Sequence, residues 1–121
     1  MASSEAWGGK KSMRKPLERD IQHAIIQYLE LKKFVVVKVN NGGVYVKARD
    51  TYMKSRQPGV SDILACEPRT GRFWAIEVKR PSGKLSTEQK AFLERVEASG
   101  GKAMVAYSLD DAIRVVEIKL K

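Results

Sequence analysis

The sequence has little of the chemistry on which disulfide-stabilised and zinc-binding proteins depend. It contains one cysteine, Cys66, and one histidine, His23. A single cysteine cannot form an internal disulfide, and zinc sites normally need several closely spaced cysteines and histidines. No glycine-rich loop ends in Gly-Lys-Ser or Gly-Lys-Thr, so the sequence also gives no sign of an ATP-binding P-loop.

Acidic residues are in short supply as well. The chain has 23 Lys and Arg residues against 14 Asp and Glu residues, which gives a formal net charge of +9 at pH 7. An excess of this size favours a polyanionic partner such as nucleic acid. No apolar run approaches the roughly 20 residues that cross a bilayer, and the N-terminus lacks the apolar core of a secretion signal. We therefore expect a cytoplasmic protein with no membrane partner.

Apolar periodicity divides the chain into an arm and one domain. Residues 1–15 mix small, polar and basic types without periodicity, which predicts a flexible basic arm. Residues 16–121 predict a single domain, with a helix beginning near Leu17. A second helix is indicated by a capping box at Ser86 and Gln89. A third is predicted from about residue 109 by its apolar spacing.

The strands are predicted from β-branched runs and turn signals. The Asn-Gly pair at 41–42, inside "FVVVKVNNGGVYVK", is typical of a tight hairpin and predicts two antiparallel strands. The following "ARDTYMKSRQPG" lacks periodicity and predicts a long exposed loop. "SDILACE" and "RFWAIEVK" predict two further strands joined by a turn at residues 68–71, and "KAMVAYS" predicts the last.

Charged residues interrupt two of these otherwise apolar strands. If residues 68–71 form the turn, Glu67 pairs with Arg72, and the same register brings Asp62 opposite Glu77 on one face of the sheet. Carboxylates in such a pair repel each other. Because oxygen ligands favour a hard divalent ion, the pair predicts a site for Mg²⁺ or Mn²⁺. Lys79 lies one strand period beyond Glu77 and points to the same site.

This arrangement suits hydrolysis of a phosphodiester, in which a metal activates water and offsets developing charge. Lys79 would orient that water or stabilise the pentacovalent phosphate, and the sequence does not choose between these roles. The alternative is that all three are exposed charges that protect strand ends from aggregation. This alternative is a good explanation of any one of the charges taken alone. It is a weaker explanation of all three together, because the neighbouring positions are apolar and buried charges need partners.

The order and surroundings of these residues resemble the PD-(D/E)XK nuclease motif, in particular its virus-type replication-repair branch, the VRR-NUC domain. The resemblance extends over residues 17–115. Its matching segments are "LERDIQHAIIQYLE", "QPGVSDIL", "WAIEVKRPSGKLSTEQKAFL" and "GGKAMVAYSLDDAI". One departure is Ser61, which stands where the superfamily name implies proline; since that position offers no ligand, we expect unchanged chemistry. The implied fold is α/β, a restriction-endonuclease-like core whose central mixed β-sheet is flanked by helices in the order α-β-β-β-α-β-α.

The resemblance also implies roles for particular residues. Asp62 and Glu77 would be metal ligands together with the backbone carbonyl of Val78, and Lys79 would be catalytic. Two further residues match acidic and glutamine positions of the family's site; these are Glu18 and Gln89. From the residues alone, Glu18 is an ordinary first-turn acid favoured by the helix dipole and Gln89 only a capping residue, so both interpretations stay open at this point.

Basic residues interleaved with aromatic ones are candidates for DNA contact, because cations hold phosphates and rings stack on exposed bases. Those in and beside the predicted loop are Lys47, Arg49, Tyr52, Lys54 and Arg56. Those flanking the "EVK" strand are Arg80, Lys84 and Lys90. The alternative for the loop is a solvated surface. Contacts of this kind position DNA without reading its sequence.

The predicted function is metal-dependent, structure-selective cleavage of DNA. The resemblance to small stand-alone phage and bacterial members implies a homodimer that resolves four-way (Holliday) junctions in a bacterial or phage-infected cell, since two-fold symmetry places two active sites across a symmetric substrate. The expected partners are branched DNA and a second copy of the chain, with no nucleotide cofactor. Two alternatives stay open: a monomeric nuclease of flaps, nicks or single strands, and a nucleic-acid-binding module without catalysis.

Overall fold

The computed structural model of the protein describes residues 17–39, 44–46, 48, 51–53 and 58–120, with the backbone alone for 44–46, 51–53 and 120. Its helices are α1 Glu18–Leu31, α2 Thr87–Ala98 and α3 Leu109–Leu120. Its strands are β1 Val35–Lys38, β2 Val44–Val46, β3 Thr51–Met53, β4 Ile63–Cys66, β5 Phe73–Val78 and β6 Lys102–Ala106. The predicted basic arm, residues 1–15, lies outside the described residues.

A four-stranded mixed sheet in the order β1-β4-β5-β6 forms the centre of the fold. The β1–β4 and β4–β5 pairs are antiparallel, and β5 pairs with β6 in parallel. The parallel pair needs a crossover, which α2 supplies. Without β2 and β3, the elements follow the order α-β-β-β-α-β-α, and the predicted α/β fold with a mixed sheet flanked by helices is confirmed.

The turn predicted at Asn41-Gly42 lies outside the described residues, and the pairing predicted for the strands on either side of it is wrong. β1 pairs with β4, and β2 pairs with β3 in a separate two-stranded sheet. Consequently the predicted long loop is interrupted by a strand, Thr51–Met53. The physical reason is packing between distant segments: beside β4 the partly buried Val36 of β1 contacts the main core, and such contacts override a local turn preference.

The two faces of the main sheet carry separate apolar clusters. On one face α1 and α3 contribute Ile25, Leu29 and Val116 to a core around Trp74. On the other face Leu93 and Val96 of α2 pack on Ala75. Strand β5 is therefore covered on both faces, and all of its residues except Phe73 are buried, as its apolar run indicates.

Trp74 fixes the β4–β5 pair at the end where the two strands are joined. Its side chain is fully buried, and the Phe34 ring meets it edge-on with 5.4 Å between ring centroids. Its indole Nε1–H donates to Oε1 of the buried Glu67 at 2.8 Å. Because a buried indole N–H needs a partner, this bond opposes slippage of the two strands and so sets the register at their other end.

Helix α1 is held against α3 by polar contacts near their ends. The Tyr28 hydroxyl donates to Oε2 of Glu117 at 2.5 Å, and the Lys32 ammonium lies 2.7 Å from the same oxygen. Burial, and then the neighbouring Glu117, raises the pKa of Tyr28 above its ordinary value, so the hydroxyl stays protonated and donates. Within the described ranges no helix has the length and apolarity needed to cross a membrane.

Candidate active site

The register of β4 and β5 brings Asp62 opposite Glu77. The Glu67 N–H donates to the Arg72 carbonyl at 2.8 Å across the turn at 68–71. From there the pairs run in step to Ile63 and Ile76, and the next position joins Asp62 to Glu77. The predicted register is confirmed, and it sets the two carboxylates on one face of the sheet.

Asp62 is held from two sides by backbone groups. Its Oδ2 accepts a hydrogen bond from the Val78 N–H at 2.9 Å. Its carbonyl accepts from the Val39 N–H at 2.8 Å, just beyond β1. The side chain is therefore fixed beside the end of β5. The contact with Val39 escaped sequence reasoning, because a backbone donor leaves no signal in residue type.

Glu77 is a buried carboxylate with one unpartnered oxygen. Only 2% of the residue is exposed. Its Oε2 accepts from Nε2 of Gln89 at 3.0 Å, while Oε1 is buried and has no hydrogen-bond partner in the described part of the chain. Burial raises the pKa of Glu77 to about 8; Asp62 adds to the rise through its charge and by accepting a hydrogen bond from the protonated form, Lys79 opposes the rise, and the charge of Glu18 adds to it. An uncompensated carboxylate in such a place calls for a cation.

Gln89 both caps α2 and contacts the candidate site, the two interpretations that the sequence left open. Its Oε1 accepts from the Ser86 N–H at 2.8 Å, and its own N–H donates to Oγ of Ser86 at 3.1 Å, which completes the predicted capping box of α2. Because the amide oxygen is engaged by that N–H, the NH₂ group faces Glu77. The helix cap and the contact with the buried carboxylate therefore depend on the same amide.

Replacing Gln89 by glutamate separates the two roles. The glutamate still accepts from the Ser86 N–H, since glutamate is equally suited to this position of a capping box. It cannot donate to Glu77 and brings a second negative charge to it. We expect the cleavage rate to fall about 10- to 100-fold, the usual effect of losing a group that orients a metal ligand, with α2 retained by circular dichroism.

Gln27, exposed on α1, provides the matched control for that substitution. Gln27→Glu adds the same charge away from the site and should leave the rate unchanged. A Gln89→Glu variant as active as the original protein would show that the amide does not position Glu77.

Glu18 and Lys79 approach the same end of the sheet. Oε2 of Glu18, at the start of α1, accepts from the Arg80 N–H at 3.3 Å. Lys79 is partly buried directly after β5, where its N–H donates to the Ala106 carbonyl at 3.0 Å. The Lys79 stem passes close to Gly83, where an added Cβ would lie 3.3 Å from Cδ. The structure thus brings the five predicted side chains of the site together.

The donor set fits a hard divalent cation. In the described part of the chain no three side chains of the His, Cys, Asp and Glu types lie together closely enough to hold a metal. The pair Asp62 and Glu77 supplies only oxygens, and Mg²⁺ commonly takes one or two protein carboxylates and completes its shell with water and substrate phosphate. The unpartnered Oε1 of Glu77 is the atom such an ion would satisfy. Ligand roles for Glu18 and for the Val78 carbonyl stay predictions.

The predicted DNA contacts divide into two groups. Arg80, Lys84 and Lys90 are exposed, and two of them directly follow site residues in the chain, Arg80 after Lys79 and Lys90 after Gln89. The others lie outside the described residues, apart from Tyr52, whose backbone is in β3; they are Lys47, Arg49, Lys54 and Arg56. Arg80 and Lys90 thus lie next to site residues in the chain, and exposed positive charge there favours approach of a phosphate backbone.

Comparison with known proteins identifies a family and a solved structure of similar fold. The family model described as the VRR-NUC domain matches residues 16–110. A solved structure titled "VRR_NUC domain" is similar in fold, with a TM-score of 0.61 and 24% identity, covering 83% of this chain and 94% of that one. The comparison with curated proteins gives no match.

Proposed function

Because the chain belongs to the VRR-NUC family of nuclease domains, we propose that it is a metal-dependent, structure-selective DNA endonuclease. The observation that carries the proposal is Glu77, a buried carboxylate opposite Asp62 with a raised pKa and an unpartnered oxygen. A carboxylate pair of this kind destabilises the fold on its own. A bound cation between the pair and a phosphate would offset that cost.

Each residue of the site would have its own role in hydrolysis. Asp62 and Glu77 would hold Mg²⁺ or Mn²⁺, and the Gln89 amide orients the Glu77 carboxylate toward it. The bound ion would supply activation of a water and neutralisation of phosphate charge. The Lys79 ammonium, beside the carboxylates, stabilises the added negative charge of the pentacovalent phosphate or orients the attacking water.

Basic groups beside the site favour DNA as the substrate. Arg80, Lys84 and Lys90 are exposed, with Arg80 and Lys90 directly following Lys79 and Gln89 in the chain, and the chain as a whole carries a net charge of +9. Such groups bind the backbone of any DNA and leave selection to its shape. This supports a nuclease that selects structure over sequence.

The natural substrate in this proposal is a four-way junction cut by a homodimer. The support is the resemblance to small stand-alone members of the family, together with symmetry. A two-fold dimer presents two identical sites, and a four-way junction presents two equivalent strands. Neither partner in this scheme requires a nucleotide cofactor.

The test is cleavage of a labelled four-way junction by the purified chain in Mg²⁺ or Mn²⁺, beside linear duplex and flapped DNA and an EDTA control. We expect paired, symmetric cuts in the junction that need the metal. Light scattering on the eluted protein should give the mass of a dimer.

Each other outcome selects an alternative. Cleavage of flaps or single strands alone by a monomer would keep the nuclease and reject junction resolution. Binding of DNA with no cleavage of any substrate would indicate a binding module without catalysis and reject the proposal.

A further inference from the structure

The segment that leads to Asp62 begins at a glycine with a left-handed backbone. Gly59 has φ +86°, a conformation that residues with a Cβ rarely adopt. The two residues between it and Asp62, Val60 and Ser61, are both buried. A displacement of the backbone at Gly59 would therefore also displace Asp62, because the buried residues between them are closely packed and cannot absorb the movement.

Gly59 also lies directly against the first turn of α2. A Cβ added at this position would come within 2.5 Å of the Glu88 carbonyl oxygen and 2.6 Å of its carbonyl carbon. Real Cβ atoms do not approach that closely, and the atoms in the way belong to a helix backbone that cannot rotate aside. Only glycine permits this contact between the loop and the helix.

The contact joins the two halves of the site. Glu88 is followed by Gln89, whose amide donates to Glu77. On the other side, Gly59 is three residues from Asp62, which lies opposite Glu77. The spacing between the Gln89 amide and the Asp62 carboxylate therefore depends on how closely the loop and the helix approach at Gly59.

We propose that Gly59 is a positioning residue that sets this spacing, a role that rests on the proposed nuclease function. A Cβ at position 59 moves the first turn of α2 away from the Asp62 segment. That movement misplaces the amide of Gln89 relative to Glu77 and leaves the sheet register unchanged. Without such a role, Gly59 would be only one more glycine required by a turn.

The experiment compares Gly59→Ala with Gly71→Ala in the full chain. Gly71 has φ +70° and nothing within 4 Å of an added Cβ, and it lies in the turn at the far end of β4 and β5. Both variants carry the same kind of backbone penalty, but only the first has the contact with α2. We expect kcat for DNA cleavage to fall about 100-fold in Gly59→Ala, the scale of a misplacement of about 1 Å, with KM within about twofold. Gly71→Ala should keep both values.

A second measurement does not depend on catalysis. The side-chain amide of Gln89 gives a pair of ¹H–¹⁵N signals, which are assigned by their loss in Gln89→Glu. We expect these signals to shift in Gly59→Ala and to stay in place in Gly71→Ala. If the original chain cleaves no DNA, the proposed function fails, and the amide signals still decide the positioning role.

Equal behaviour of the two glycine variants in both measurements would overturn the proposal. If Gly59→Ala does not fold at the assay temperature, Gly59→Asn and Gly71→Asn replace the pair, because asparagine tolerates a positive φ better than alanine does. The Asn variant retains the added Cβ, so the expected differences and the overturning result are the same.

Discussion

Replacing Glu77 by glutamine is expected to abolish DNA cleavage and at the same time to make the metal-free protein more stable. The amide keeps the size of the side chain and the bond from Gln89, but it removes the negative charge that Glu77 would present to the proposed cation. We expect the cleavage rate to fall by a factor of at least about 10³, comparable with the loss of a central electrostatic group in other enzymes.

The gain in stability follows from the state of Glu77 in the fold. At pH 7 the metal-free fold keeps Glu77 protonated opposite Asp62, because its pKa is raised to about 8, whereas the carboxyl is ionised in the unfolded chain, and holding that proton costs free energy. Glutamine is neutral in both states, so removing this cost adds about 1–3 kcal/mol to the free energy of unfolding, at about 1.4 kcal/mol per pKa unit. Thermal or urea denaturation in EDTA at pH 7 measures this difference. A Glu77→Gln variant that is less stable than the original chain would contradict the account of a strained carboxylate.

The dependence of this gain on pH has a definite sign. The pKa of Glu77 is raised to about 8 in the fold from an ordinary value of 4.5, so between these values the unfolded chain has released the proton and the folded chain retains it. The contribution of Glu77 to stability therefore falls as pH rises from about 4.5 to about 8 and then levels off. In the glutamine variant that fall should be absent. Equal slopes for the two proteins would show that Glu77 does not titrate in this window.

Replacing Lys79 by methionine is expected to lower kcat about 10²- to 10³-fold while DNA binding is largely retained. Methionine preserves an unbranched stem of similar length and removes the ammonium. That ammonium lowers the pKa of Glu77, which locates its charge beside the carboxylates. Losing one donor aimed at developing charge has an effect of this size.

Lys119, exposed in the last turn of α3, provides the control for Lys79. Lys119→Met removes the same charge and should leave kcat unchanged. Single-turnover cleavage measures the chemical step, and fluorescence anisotropy in EDTA measures binding. Lys79→Met with normal turnover but weak binding would reassign the lysine to holding the DNA backbone.

Much of this site could be predicted because its geometry depends on short-range rules. The turn at 68–71 fixes the pairing of Glu67 with Arg72, and strand alternation then carries the register five residues to Asp62 and Glu77. The capping box at Ser86 can likewise be recognised from a stretch of four residues. These features need no knowledge of distant packing.

The errors and omissions concern contacts between distant segments. Asn41-Gly42 favours a local hairpin, yet β1 pairs with a strand about 30 residues later in the chain, where the partly buried Val36 packs against the main core. The anchor from Val39 to Asp62 uses a backbone group, and the approach of Gly59 to Glu88 joins segments almost as far apart. Pro58-Gly59 predicts a turn, but the dipeptide does not indicate which helix packs against that turn.

The side-chain amide of Gln89 contacts both Ser86 and Glu77, so the geometry of the site depends on whether the first turn of α2 is formed. Helix termini open locally at a lower free energy than the whole domain unfolds. Whenever the first turn of α2 frays, the bond to Ser86 and the bond to Glu77 are lost together, and the proposed metal ligand Glu77 loses its orientation. The fraction of molecules competent for cleavage is then set by the opening equilibrium of about four residues, far below the stability of the sheet that carries the carboxylates.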